Sequence, residues 1–114
     1  PRLDPDLLVT AAIVHDLGYT RAWRVGATVE ATPAGRMLGH VALGTELVAD
    51  ACRRVRLPDD RTLALVHCVA WHHGPPPGAA PSQASPEAVA LQRADDMEVR
   101  VKSRLEGGGM DSPV

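Results

Sequence analysis

Three times in this chain a helix-capping residue is followed directly by proline: Asp4-Pro5, Thr32-Pro33 and Ser85-Pro86. The capping side chain accepts an unpaired amide of the first helical turn, and proline fits the first helical position, where its missing N–H is not needed. Each pair therefore fixes both a helix and its starting point. Asp4 opens a helix whose apolar stripe, Leu7, Leu8, Ala11, Ala12 and Val14, dies at Gly18, where a left-handed cap is expected. Thr32 opens a long helix to about Arg56, carrying Met37, Leu38, Val41, Val48, Ala51, Cys52 and Val55 and closed by Leu57-Pro58. Asp59 or Asp60 caps a third helix through Leu63, Leu65, Val66, Val69 and Ala70 to Trp71, stopped by the breaker-rich GPPPGAAPSQA. Ser85 opens the fourth, with Val89, Ala90, Ala94, Met97 and Val101, fraying before Gly107. Between the first two helices, Val25, Ala27, Val29 and Ala31 alternate around Gly26, which a short hairpin or an extended loop satisfies equally. The fold class is all-α.

At 114 residues the chain is one domain, expected over 1–106, with 107–114 as a flexible tail. It starts without Met and ends in GGGMDSPV, so a piece of a longer chain is expected. With no Phe and 3% aromatics, the core must be aliphatic. A net charge of −2 gives no general pull toward nucleic acid or anionic lipid, so any phosphate recognition has to be local. No apolar stretch approaches the roughly 20 residues of a membrane span, which removes the membrane as a partner. Cys52 and Cys68 sit inside apolar helical patterns; two free buried thiols suit a reducing, cytoplasmic setting better than a disulfide framework.

Five histidines in so short a chain carry more information, because imidazole is the commonest metal ligand and a base near neutral pH. His15-Asp16 ends the first helix, His40 lies within the second, His72-His73 ends the third, and Asp95-Asp96 interrupts the fourth. Burying these groups is costly unless something compensates them, several kcal/mol for an isolated carboxylate. A shared divalent cation compensates all of them at once. Mixed nitrogen and oxygen donors suit Mn, Fe, Co, Ni or Zn rather than a Cys-rich zinc finger or an all-oxygen calcium loop. Singly, each residue reads as well as a satisfied helix-end group, and His67 is assigned to that class. Neighbours on a regular helix differ by about 100°, so one member of each adjacent pair is expected to face away.

HDLG at 15–18, then GATVEATPAGRMLGHVALG at 26–44, WHHG at 71–74 and SPEAVALQRADDMEVRVK at 85–102 resemble the HD superfamily of metal-dependent phosphohydrolases. Within it they are similar to the HD domain of YhaM-type 3′–5′ exoribonucleases. The resemblance implies an HD-domain helical bundle holding one or two divalent transition-metal ions. It implies metal binding by His15, Asp16, His40, His72, His73 and Asp95, with Asp16 bridging two ions and activating a bound water; Asp95 is preferred to Asp96. Two departures stand out. The family takes a first His from a helix upstream of the HD pair, whereas the fourteen residues before His15 contain none. This chain therefore either lacks the N-terminal helix of the full fold, with an upstream segment supplying that ligand, or binds metal with a depleted set. Where the family carries Lys beside the substrate phosphate, this chain has Tyr19, with Arg21 and Arg36 as the other candidates for substrate contact. Each arginine reads equally as a solvated charge.

The expected function is hydrolysis of a phosphate ester in a small phosphorylated substrate or at a short RNA 3′ end. The acidic balance disfavours long RNA, whose affinity rests on phosphate contacts. The alternatives are an HD-fold diiron oxygenase and a degenerate, non-catalytic metal-binding HD domain. The sequence leaves open whether the chain forms a homo-oligomer.

Overall fold

The computed structural model describes residues 2–107; of the expected tail, all but Gly107 falls outside the described residues. Five α-helices run in the order α1 (Pro5–Val14), α2 (Tyr19–Ala22), α3 (Pro33–Arg54), α4 (Asp59–Trp71) and α5 (Pro86–Leu105). A two-stranded antiparallel hairpin, β1 (Trp23–Val25) and β2 (Val29–Ala31), separates α2 from α3. A single 3-10 turn, Pro81–Gln83, precedes α5. Among the described residues, no helix is long and apolar enough to cross a membrane.

All three cap-plus-proline pairs start helices. Asp4 accepts from Leu7 N, Thr32 from Gly35 N and Ser85 from Ala88 N. Thr32 does more, since its hydroxyl also donates to the Arg21 carbonyl at 2.7 Å and ties the end of α2 to the start of α3. The fourth expected cap is different: α4 begins at Asp59 after Pro58, so Asp59 and Asp60 occupy its first turn, and neither caps it.

The core joins α1 (Ala11), α3 (Val48, Cys52), α4 (Leu65, Cys68, Val69, Trp71) and α5 (Ala88, Leu91). Both cysteines are buried and free. Several residues expected in apolar stripes are exposed instead: Met37, Leu38 and Val55 on α3, Leu63 on α4, and Val89, Met97 and Val101 on α5. On α5 the inward face runs through Ala88 and Leu91, at the spacing that continues to Asp95, so packing one end of the helix aims that carboxylate inward.

Two glycines shape the site. Gly18 is right-handed (φ −58°, ψ −26°), not the left-handed cap that its position suggested. Its role is close approach: a Cβ there would overlap the His40 carbonyl oxygen and lie 2.7 Å from Gly44 N. Gly39 has φ 78° and ψ 164°, a combination open essentially only to glycine, and it kinks α3 one residue before His40. The expected unbroken second helix is thus two helical segments. That is why Met37 and Leu38 do not share the inward face of Val48 and Cys52.

Candidate metal centre

Four elements bring polar side chains to one place: the C-terminal ends of α1 and α4, the kink of α3 and the middle of α5. His15 is the C-cap of α1 and His72 the C-cap of α4. The ring Nδ1 of His15 lies 2.7 Å from the Ala12 carbonyl, and that of His72 lies 2.6 Å from the Val69 carbonyl. A nitrogen facing a carbonyl oxygen carries the proton, so in the neutral rings both Nε2 atoms present lone pairs. Those two atoms are buried and have no hydrogen-bond partner among the described residues. They face carboxylates instead. His15 Nε2 is 3.2 Å from Asp16 Oδ2 and 3.6 Å from Asp95 Oδ1, and His72 Nε2 is 3.6 Å from Asp16 Oδ1. These contacts have ion-pair distances without hydrogen-bond directions. Lone pairs pointed at carboxylate oxygens repel one another unless a cation stands between them.

His40 and His73 complete the set. Their Nε2 atoms are 3.1 Å apart, the spacing of two adjacent ligands on one ion at ~2.0–2.1 Å from each. His73 Nδ1 also lies 3.8 Å from Asp95 Oδ2. His72 and His73 would diverge by about 100° on a continuous helix, yet both join the same cluster because α4 stops at Trp71. The donors fall into two groups, His15, Asp16 and Asp95, and His40, His72 and His73, with the donor atoms of each group within 4.8 Å of one another. Asp16 turns one oxygen to each group, and so does Asp95. Three protein donors with positions left open is the pattern of a catalytic rather than a structural ion. The donor chemistry fits divalent transition metals.

The electrostatics agree with neutral rings at His72 and His40. His72 is fully buried, and desolvation holds its pKa below the ordinary value, only partly offset by its bond to the Val69 carbonyl. Burial, and secondarily His73, lowers His40 in the same way against the opposing pull of Asp16 and Asp95. Tyr19 stacks on His40 with ring centroids 4.1 Å apart and planes within 9°. Burial, then the charges of Asp16 and Asp95, raises its pKa, so its phenol keeps its proton.

Other candidates lie further out. Asp96 belongs to neither donor group and pairs with Arg100 at 3.0 Å. Arg36 donates to the Ala31 carbonyl at 2.8 Å, clipping the hairpin to α3. Arg21 is exposed on α2. His67 accepts from Ser85 N at 3.0 Å and anchors the start of α5. The cation beside the centre is one that sequence reasoning passed over: Arg93, with Gln92, shares a cavity of about 310 Å³ with His72, His73, Asp95 and Asp96. The available signal was its position two residues before Asp95 on a helix known to approach the site.

Residues 1–100 match the HD domain family model, and the chain belongs to that family. Among curated proteins it is 29% identical over 102 residues to the 3′-5′ exoribonuclease YhaM of Bacillus licheniformis and to that of Shouchella clausii. It is 28% identical to the Bacillus subtilis protein of the same name. Each alignment covers 89% of this chain and 32% of the relative, so the chain spans about a third of the length of the curated proteins it matches. No solved structure matches significantly.

Proposed function

We propose that this domain is a metal-dependent phosphohydrolase acting on a small nucleotide or a short RNA 3′ end. Its cofactor is one or two divalent ions such as Mn, Fe, Co, Ni or Zn, and the presence of two donor groups favours two. The observation that carries the reading is the pair of buried Nε2 lone pairs, on His15 and His72, aimed at shared carboxylates. His15, Asp16 and Asp95 hold the first ion, and His40, His72 and His73 the second. Divalent ions bound there supply Lewis-acid charge for a phosphoryl oxygen and acidify a coordinated water.

The chain's own groups do the rest. The backbone carbonyls of Ala12 and Val69 fix the tautomers of His15 and His72, so both rings are ready acceptors of a cation. Asp16 spans both groups and sets their separation. Arg93 and Gln92, in the cavity beside His73 and Asp95, can donate to the remaining phosphoryl oxygens. The protonated Tyr19 phenol is a neutral donor where the resemblance leads one to expect a lysine cation. The relatives' name, 3′-5′ exoribonuclease, supports an RNA 3′ end as one candidate, and the modest net charge of −2 favours a short substrate over a long polymer held along its backbone.

Turnover of bis(p-nitrophenyl) phosphate and of a 5′-labelled RNA 6-mer with Mn²⁺, compared between the wild type and Asp16→Ala, tests this. Metal-dependent cleavage lost in the variant is the expected result. Absence of turnover with every divalent ion, together with O₂ consumption by iron-loaded protein, overturns it in favour of oxygenase chemistry.

A further inference from the structure

A cavity of about 580 Å³ opens between α2, the hairpin and the kink of α3, within the ~300–1,000 Å³ typical of small-molecule sites. This chain holds three Trp and Tyr residues and no Phe. Trp71 is buried in the core; Tyr19 and Trp23, the other two, both line this cavity. Its remaining wall is made of Ala22, Ala31, Gly35 and Gly39, small residues that leave the backbone as the surface, and it ends at His40. No charged side chain lines it. The space suits an uncharged planar ring rather than a phosphate.

The walls are fixed. A Cβ on Gly35 would overlap the Ala22 carbonyl, Trp23 pairs across the hairpin with Ala31, and Thr32 bonds the end of α2. At Gly39 a Cβ would meet nothing within 4 Å, so the kink leaves room open rather than filling it. Trp23 remains 44% exposed, a large aromatic surface with no partner to cover it among the described residues. The cavity meets the metal centre through His40, on which Tyr19 is stacked. The other large cavity against the centre, beneath Pro75, Pro76 and Pro77, has no aromatic wall apart from His73.

We propose that this slot seats the nucleobase of the substrate, with Trp23 as the stacking residue and Tyr19 as the wall shared with the metal centre. The proposal rests on the phosphohydrolase reading for the phosphate end of the molecule, while the ring end is independent of it. Stacking tolerates any base, because every base offers a π-face.

The test is equilibrium binding of adenosine 5′-monophosphate, ribose 5-phosphate and adenosine to the Mn²⁺-treated chain, by calorimetry. With stacking worth about 1–3 kcal/mol per base, adenosine 5′-monophosphate should bind roughly 5- to 150-fold more tightly than ribose 5-phosphate. In Trp23→Ala that advantage should vanish while ribose 5-phosphate affinity and Mn²⁺ uptake stay unchanged. Ala31→Leu, which fills the slot from the opposite strand, should do the same and guards against misfolding of the first variant. Equal affinities for the two phosphates in the wild type, or equal loss of both in Trp23→Ala, overturns the slot while leaving the hydrolase reading intact. If neither phosphate binds but adenosine still quenches Trp23 fluorescence, the hydrolase reading fails and the slot stands.

Discussion

The four imidazoles of the centre are held in two different ways. His15 and His72 close helices, and each is pinned by a bond from Nδ1 to the carbonyl three residues back. His40 and His73 have no such bond among the described residues; they lean on each other at 3.1 Å, and His40 also on Tyr19. The first pair is organised by the helices themselves and should keep its direction without metal. The second depends on two breaks in regular structure, the kink at Gly39 and the end of α4 at Trp71. The two donor groups, the halves of the candidate centre, therefore differ: His15, Asp16 and Asp95 use only a pinned imidazole, whereas His40, His72 and His73 combine one pinned ring with two adjustable ones.

The largest effect should come from removing the group that both halves share. Asp16→Ala should abolish metal uptake at both groups and erase the difference in melting temperature with and without chelator. At metal concentrations 100-fold above Kd that difference is about 2.7 kcal/mol for each ion held, of order 10 °C per ion for a chain of this size. A helix-end carboxylate with no such role would cost within about 0.5 kcal/mol and leave the chelator effect in place.

Gly39→Ala separates the halves. It meets no atom, so its cost, about 1–3 kcal/mol by chemical denaturation, is conformational. As the kink re-aims His40, the variant should lose one ion per chain and keep the other. Loss of both ions would mean that the halves are not independent.

His40→Ala makes the same cut without touching the backbone. One ion should remain, and the metal-free protein should unfold within about 1 kcal/mol of wild type, because the ring is only half-buried. His15→Ala should instead empty the opposite group.

The smallest effect concerns pH. Burial lowers the pKa of His67, whose Nε2 accepts from Ser85 N and so needs an unprotonated ring. The unfolded chain therefore binds more protons just below its ordinary value of about 6.5 than the folded chain does. The stabilisation is present in full above that value and is lost as pH falls from there through the lower folded value. Denaturation of chelator-treated protein between pH 7.5 and 5 should show this loss, and His67→Gln should reduce the slope.

Much of this fold was legible because cap-plus-proline signals are local: Asp4, Thr32 and Ser85 name three helix starts without reference to anything distant. The candidate donors were legible for a similar reason, since His15, His72 and His73 sit where helices visibly stop. What the sequence hid depends on approach between segments. Gly18 looked like a terminator, but its requirement comes from the His40 carbonyl, twenty-two residues on. Gly39 looked like an ordinary helical residue beside a histidine, and only the packing of both halves of α3 demands its positive φ. Stripe periodicity misplaced Met97 and Val101 because α5 packs on α1 and α4 with Ala88 and Leu91 facing inward, which leaves Met97 and Val101 exposed. Trp23 and Arg93 carried no motif. Their relevance appears only once cavities adjoin the centre.

The central claim is that six side chains from four segments converge to hold divalent ions. Elemental analysis of the chain dialysed against Mn²⁺ and then metal-free buffer tests it most directly, with melting curves before and after chelator. The account predicts two ions per chain, one in His40→Ala, none in Asp16→Ala, and a melting temperature that falls when chelator is added to the wild type. A metal-free wild type whose melting curve ignores both Mn²⁺ and chelator would contradict it.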